Sequence, residues 1–393
     1  MAVPENGTKR NADSLRAEIT TTCFAFRGYN TTNLGRTPEL LAHPAYGPTV
    51  ARYLKQAGEI CARETGRPVD LIRRVSERSE PLLDAYAEAV ALIMAAELAQ
   101  VQLLEEFHGV YFSESKLCFG YSLGELTTIA CAGVFDMNEV MRVPIAMATD
   151  SAELAENAIM GILFSRGPAI AEADVHRLCR QVTSEGEGVI GVSSILSPNT
   201  YLILGQNDTV ERFRKTMHEV LPDPAHLRLN PDRWPPMHTH IVRQRHIPDR
   251  AAVMMDSMRG GFVPPCPPIL SLVTGKRSYD DTHARDLLRD WSDHPQRLWD
   301  AVYETLACGV TTVVHVGPGP NLIPATFHRL TDNVLEQTAG NSIGSLGMRA
   351  AAGMARRPWL SALLPSRTAL LRAPHVKHVI LEDWLLEHGQ QLS

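Results

Sequence analysis

Six consecutive residues, Gly120-Tyr121-Ser122-Leu123-Gly124-Glu125, carry the plainest chemistry in the chain. They read G-x-S-x-G, the pattern of a nucleophile elbow, in which a serine sits on a sharp strand-to-helix turn with its hydroxyl exposed. The flanks have the composition such a turn needs. Leu117-Cys118-Phe119 is a short apolar run, and Leu126 to Ala132 is apolar and helix-compatible. Glycines on both sides let strand and helix approach closely. The backbone N–H of Leu123 then lies at the positive end of a helix, where it can face a developing oxyanion. A serine hydroxyl is a weak nucleophile at neutral pH and needs an adjacent base. The chain has fifteen histidines, so counting alone does not choose one. The densest group is Met237-His238-Thr239-His240, and either histidine of it is a candidate base.

Around these residues the chain alternates strand and helix. Residues 20–28 read as a strand closed by Gly28, and residues of about 50–62 and 81–106 as helices. The Leu117–Phe119 strand and its elbow helix follow. This alternation predicts an α/β core with a mainly parallel sheet, over residues 20–150. From 157 to 232 the order becomes β-α-β-β-α-β. Ile159 to Ser165, Gly188 to Ile195, Tyr201 to Leu204 and Ala225 to Leu229 read as strands, and Ala171 to Val182 and Asp208 to Val220 as helices. That is the ferredoxin-like arrangement, here an inserted small domain. Residues 233–335 return to the core, with Thr312 to Val316 a β-branched strand closed by Gly317-Pro318-Gly319. From Gln337 to Leu381 there is no acidic residue but six basic ones, Arg349, Arg356, Arg357, Arg367, Arg372 and Lys377. Residues 337–393 therefore read as a basic C-terminal extension outside the compact core. A basic arm of this kind would steer an acidic partner toward the cleft through a salt-screened attraction; the alternatives are a solvated tail or a strip that packs back on the core through Trp359, Leu360 and Leu363.

The 393 residues suffice for one large domain with an insertion, and the composition is that of a globular protein. A net charge of -6 supplies no basic field for phosphate backbones, so no nucleic-acid partner is expected. No leader of the basic-then-apolar type and no uninterrupted apolar run of spanning length is read, so no membrane span is expected. The seven cysteines form no C-x-x-C pair and read as buried thiols of a cytoplasmic protein. No metal site is expected, since His238-x-His240 lacks a third ligand.

In this arrangement the chain resembles the malonyl-CoA:acyl-carrier-protein transacylases and the acyltransferase domains of polyketide synthases. Five segments match in order over roughly residues 20–335. Phe24 to Tyr29 stands where that family has F-x-F-P-G-Q, and Gly120 to Glu125 with Ala130 to Val134 matches its G-H-S-x-G-E and C-A-G-V. Ser197-Pro198 to Gly205 matches its small-domain hairpin, His238 its histidine, and Val314 to Gly319 its E-V-G-P-G turn. The resemblance implies an α/β-hydrolase-like large domain with an inserted ferredoxin-like (βαββαβ) small domain. It also implies a ping-pong acyltransferase of fatty acid or polyketide biosynthesis, with acyl-CoA as donor, an acyl carrier protein as partner and no bound cofactor. Ser122 would be the nucleophile and His238 the base, with His240 a neighbour. Backbone N–H groups of Leu123 and Tyr29 would form the oxyanion hole. The same residues would also serve a thioesterase or hydrolase, and a non-catalytic carrier-binding protein is a further alternative.

Several positions depart from the family pattern. Tyr121 replaces the histidine before the nucleophile, and Tyr29-Asn30-Thr31-Thr32 replaces Q-G-S-Q. The position of the arginine that pairs with the malonyl carboxylate falls on Met147, while Arg142 matches a different arginine. Methionine offers an adaptable apolar surface, which favours a monocarboxylic acyl group. The alternative is an arginine entering from another direction, Arg166 or Arg27. The segment that holds the histidine matches Arg289-Asp290-Trp291, which makes Asp290 the expected residue orienting His238, through its carbonyl or its carboxylate.

Overall fold

The computed structural model describes residues 15–338, 358–364 and 366–389. Strand β1 (Thr22–Phe26) is buried at every position, and helix α1 (Tyr86–His108) follows after shorter helices. Strand β2 (Leu117–Gly120) leads directly into α2 (Leu123–Cys131). The small domain then runs β3 (Ala158–Ser165), α3 (Glu172–Ser184), β4 (Ile190–Ser197), β5 (Thr200–Gln206), α4 (Thr209–Thr216) and β6 (Ala225–Asn230). The chain returns through β7 (Ile269–Leu270), α5 (Ala284–Trp291), β8 (Thr312–Val316) and α6 (Leu322–Thr338). It ends with β9 (Lys377–Ile380) and α7 (Leu381–Gly389).

The larger sheet has the order β7-β2-β1-β8-β9 with every neighbouring pair parallel. Its inner strands are continuous apolar or β-branched runs because helices cover both faces. Helix α1 is apolar around most of its circumference and buried from Ala89 to Val101. By length and composition the stretch Leu83–His108 would suffice to cross a membrane, but 83% of its most apolar window is buried inside this fold. A helix that is hydrophobic all round fits a core position as well as a bilayer.

The smaller sheet is antiparallel, in the order β4-β5-β3-β6. That is the ferredoxin-like strand order. The buried faces of α3 (Val175, Leu178, Val182) and α4 (Val210, Phe213) cover one side. Side chains alternate across a strand, so Met160, Ile162 and Phe164 of β3 face the opposite way, into a large cavity.

The reading of the C-terminal segment as an extension outside the core is corrected by the structure. Lys377 to Ile380 add an edge strand parallel to β8, in the register Val314↔Val379. Leu381, Trp384 and Leu385 of α7 are buried, as are Trp359 and Leu360. The apolar spacing of Val379, Leu381, Trp384 and Leu385 outweighs the basic composition. The basic residues that fall within the described part are also engaged. Arg367 lies 4.6 Å over the Tyr303 ring, Arg372 donates to the Leu306 carbonyl at 2.9 Å, and Lys377 is 3.9 Å from Glu18. Arg349, Arg356 and Arg357 lie outside the described residues.

Candidate active site

Ser122 sits between β2 and α2 with φ +54° and ψ −118°. This region is costly for a non-glycine residue and persists only where surrounding packing enforces it. The packing here is specific. A Cβ on Gly120 would lie 2.0 Å from the Gly124 carbonyl carbon, and one on Gly124 would lie 2.4 Å from the Arg27 carbonyl oxygen. Only glycine allows the elbow helix to rest on strand β1. Two further hydrogen bonds fix the serine backbone. Its N–H donates to Gln296 Oε1 at 2.9 Å, and its carbonyl accepts from Trp291 Nε1 at 2.9 Å.

His238 comes from the segment that leaves the small domain, and its own φ is +65°. Its Nε2 is 2.7 Å from Ser122 Oγ. On the far side of the ring, Nδ1 is 2.7 Å from the Trp291 carbonyl. A carbonyl only accepts, so Nδ1 carries the proton and Nε2 presents its lone pair to the serine. The imidazole is 4% exposed. Burial lowers its pKa to about 4, against the opposing pull of the Trp291 carbonyl and Asp293. At neutral pH it is therefore the neutral ring a general base must be.

The other expected site residues fall as follows. Leu123 opens α2 directly after the serine. Gly28 packs so tightly on the elbow that an added Cβ would be 2.8 Å from the Tyr121 carbonyl oxygen, which brings the adjoining Tyr29 beside Ser122. The Tyr29 ring meets Tyr86 edge-on at 4.9 Å and Trp234 at 6.0 Å. Tyr121 lines the large cavity with Ser122 and His238. Met147 is buried and borders a second, smaller cavity that also reaches Ser122. His240 is exposed and is not paired with the serine. Arg142 is held by Glu64 at 2.8 Å.

Two expectations are corrected. Asp290 does not orient His238. Its carboxylate accepts from Arg289 and its carbonyl from His294, and the next residue, Trp291, supplies the carbonyl for the histidine. One residue of helix register separates the two, and a carbonyl can be offered by any residue type, so side-chain identity could not mark it. Arg27, considered as an incoming carboxylate partner, is almost fully buried and committed elsewhere. Its guanidinium donates to the Gly28 carbonyl at 2.7 Å, to Asn33 Oδ1 at 2.8 Å and to the Pro318 carbonyl. Arg27 thus props the loop that carries Tyr29. Arg166 is exposed at the wall of the large cavity.

Gln296 is the residue the sequence reading missed. It is fully buried, accepts the Ser122 N–H through its side-chain oxygen, and places Nε2 3.3 Å from His238 Nδ1. Its own backbone joins the small domain, donating to the Ser193 carbonyl and accepting from the Ile195 N–H, both at 2.9 Å. No local motif announces such a residue, because its role depends on contacts 174 positions away in the chain.

The two cavities meet at the serine. The larger, about 630 Å³, lies between the free face of the small sheet and helix α6, with Trp234, Trp299 and Trp359 in its walls. The smaller, about 20 Å³, lies between Leu123, Met147, Met237 and Trp291.

A parallel-sheet domain with a nucleophile elbow, a ferredoxin-like insertion and a serine–histidine pair between them is the two-domain transacylase fold. The chain resembles the malonyl-CoA:acyl-carrier-protein transacylases in sequence and shares that fold. It is 24% identical over 227 residues to the malonyl CoA-acyl carrier protein transacylase of Bacillus subtilis, a stretch covering 57% of this chain and 53% of the relative. The alignment therefore spans about half of that relative's length. The FabD structure from Acinetobacter baumannii superposes with a TM-score of 0.62 at 19% identity, covering 79% of this chain and 91% of that one. The malonyl-transacylase in the complex PlMCAT:AntF, with a type II polyketide synthase acyl-carrier protein, superposes at 0.58 with 22% identity, covering 78% and 91%. No protein-family profile matches the chain.

Proposed function

We propose that this chain is an acyltransferase that moves an acyl group from a coenzyme A thioester to the phosphopantetheine thiol of an acyl carrier protein through an acyl-Ser122 ester. The observation that carries the reading is the 2.7 Å contact between Ser122 Oγ and His238 Nε2, with Nδ1 committed to the Trp291 carbonyl. As Oγ attacks the thioester carbon, His238 Nε2 takes the hydroxyl proton. The C–S bond breaks, coenzyme A leaves as the thiol with that proton, and the Oγ–C ester remains. In the second half the carrier's thiol gives its proton to Nε2, its sulfur attacks the ester, and the proton returns to Oγ. Negative charge develops on the carbonyl oxygen in both halves. The N–H groups of Leu123 and Tyr29 are the donors suited to it, and loss of one such donor typically costs about 3–4 kcal/mol of barrier.

The names of the similar proteins support the acyl and carrier chemistry. So does the large cavity, about 630 Å³ and lined by Ser122, His238 and side chains of both domains. Arg166, Arg228 and Arg329 are exposed along it, and among the described residues none is in an ion pair. Three unpaired cations suit the phosphate of the arm. Labelled acyl-CoA incubated with holo-carrier protein is expected to leave its label on the carrier. Label recovered as free acid, with the carrier unlabelled, would make the protein a hydrolase on the same scaffold.

A further inference from the structure

We infer that the small cavity beside Ser122 is the acyl subsite, and that it limits the transferred group to a two-carbon, uncharged acyl unit. This rests on the acyltransferase reading above. A thioester bound at Ser122 has two ends, and two cavities of very different character receive them. The large one carries the exposed arginines and several asparagines, including Asn30, Asn199 and Asn321, beside apolar walls of Met160, Phe164 and Leu202. It suits the long, polar, phosphate-ended thiol arm. The acyl end is left with the small cavity.

Size sets the first limit. The small cavity is about 20 Å³, and on the same measure about 10–15 Å³ is needed to hold one water molecule. One methyl-sized group fits beyond the carbonyl carbon, and a longer chain does not. Its boundaries recede only at a packing cost, because Val143, Met147, Ile247 and Trp291 are all buried in the core.

Chemistry sets the second limit. Among the described residues, no charged side chain borders this cavity. The Ser151 hydroxyl is spent on the Met147 carbonyl at 2.8 Å and that of Ser292 on the Arg289 carbonyl at 3.1 Å. Tyr86 adds a neutral phenol at the edge. A free carboxylate placed here would be buried without a cation, which is strongly unfavourable. Met147 is buried in this wall, and we assign its long side chain the part of limiting the cavity's size.

The test is intact-mass measurement of the acyl-enzyme formed by the full chain with acetyl-, malonyl-, butyryl- and octanoyl-CoA, compared at early times. Acetyl-CoA is expected to label fastest, with each surplus methylene costing about tenfold or more and malonyl-CoA labelling slowest of the short donors. Met147→Ala is expected to raise butyryl labelling about tenfold relative to acetyl. A folded wild-type protein labelled by none of the four removes the acyl-serine reading itself. Labelling that is fastest with malonyl- or octanoyl-CoA leaves that reading standing and overturns the two-carbon limit. A folded Met147→Ala protein with unchanged chain-length preference removes Met147 from the role assigned to it.

Discussion

At Ser122 the backbone is held at φ +54° by a helix that rests on strand β1 through Gly124. Two glycines at fixed offsets, an apolar strand before and an apolar helix after are local signals, and the close approaches at Gly120 and Gly124 show why they are needed. His238 was legible only as one of two histidines until the resemblance separated them. Their environments differ physically, since His238 is buried on the serine and His240 is exposed. His238→Ala is therefore expected to slow both half-reactions by about 10² or more, and His240→Ala far less, in single-turnover assays of each half. Gln296→Ala leaves the Ser122 N–H without its buried acceptor. It is expected to cost about 1–3 kcal/mol of stability in a denaturant titration, with a slower acylation step. The pH profile should report the buried base. With a free-enzyme pKa near 4 for His238, acylation at limiting acyl-CoA should hold its rate as pH falls through 6.5 and lose it toward 4. An acid limb centred at 6.5 would mean that a solvent-exposed imidazole acts as the base.

At the scale of elements, periodicity identified the strands and helices of both sheets, because alternation and 3.6-residue spacing reflect which face is buried. It also gave the inserted β-α-β-β-α-β order, since each of those elements carries its own periodic apolar face, whichever partner it meets. The C-terminal segment was misread for the complementary reason. Its pairing partner β8 lies more than sixty residues earlier, and charge composition says nothing about a parallel edge contact of that kind. Helix α7 has a further consequence for the site. Glu382 accepts the backbone N–H of Gly319 and of Arg36, both at 2.8 Å. It thereby holds the Gly317-Pro318-Gly319 turn, whose Pro318 carbonyl in turn holds Arg27 under the Tyr29 loop. At the elbow itself, Gly124→Ala would force a Cβ to within 2.4 Å of backbone. That change is expected to destabilise the protein by about 3 kcal/mol or more, or to prevent folding, which a thermal melt of the soluble fraction would show.

For the whole molecule, the two domains share the candidate site: the large domain supplies the elbow, the segment leaving the small domain supplies His238, and Gln296 is bonded to both. The C-terminal strand and helix complete the large sheet and should be required for it. Deleting residues from 358 onward would expose the edge of β8 and the surfaces under Trp359, Trp384 and Leu385. The truncated chain is expected to be insoluble or to melt well below the full chain, and to lose the acyl-CoA step along with the carrier step. A soluble truncation with a normal acyl-CoA step, and a carrier defect that shrinks at high salt, would restore the steering role for the basic residues. The proposed transfer requires a covalent acyl group at one side chain. The most direct measurement is the intact mass, with peptide mapping, of the full-length protein after a short incubation with acetyl-CoA, alongside a folded Ser122→Ala variant, followed by addition of holo-carrier protein. One acetyl group is expected on the peptide containing Ser122, none on the variant, and transfer of that group to the carrier thiol. An acetyl group that forms equally on the variant, or no adduct on a folded wild-type protein that still acetylates the carrier, would contradict it.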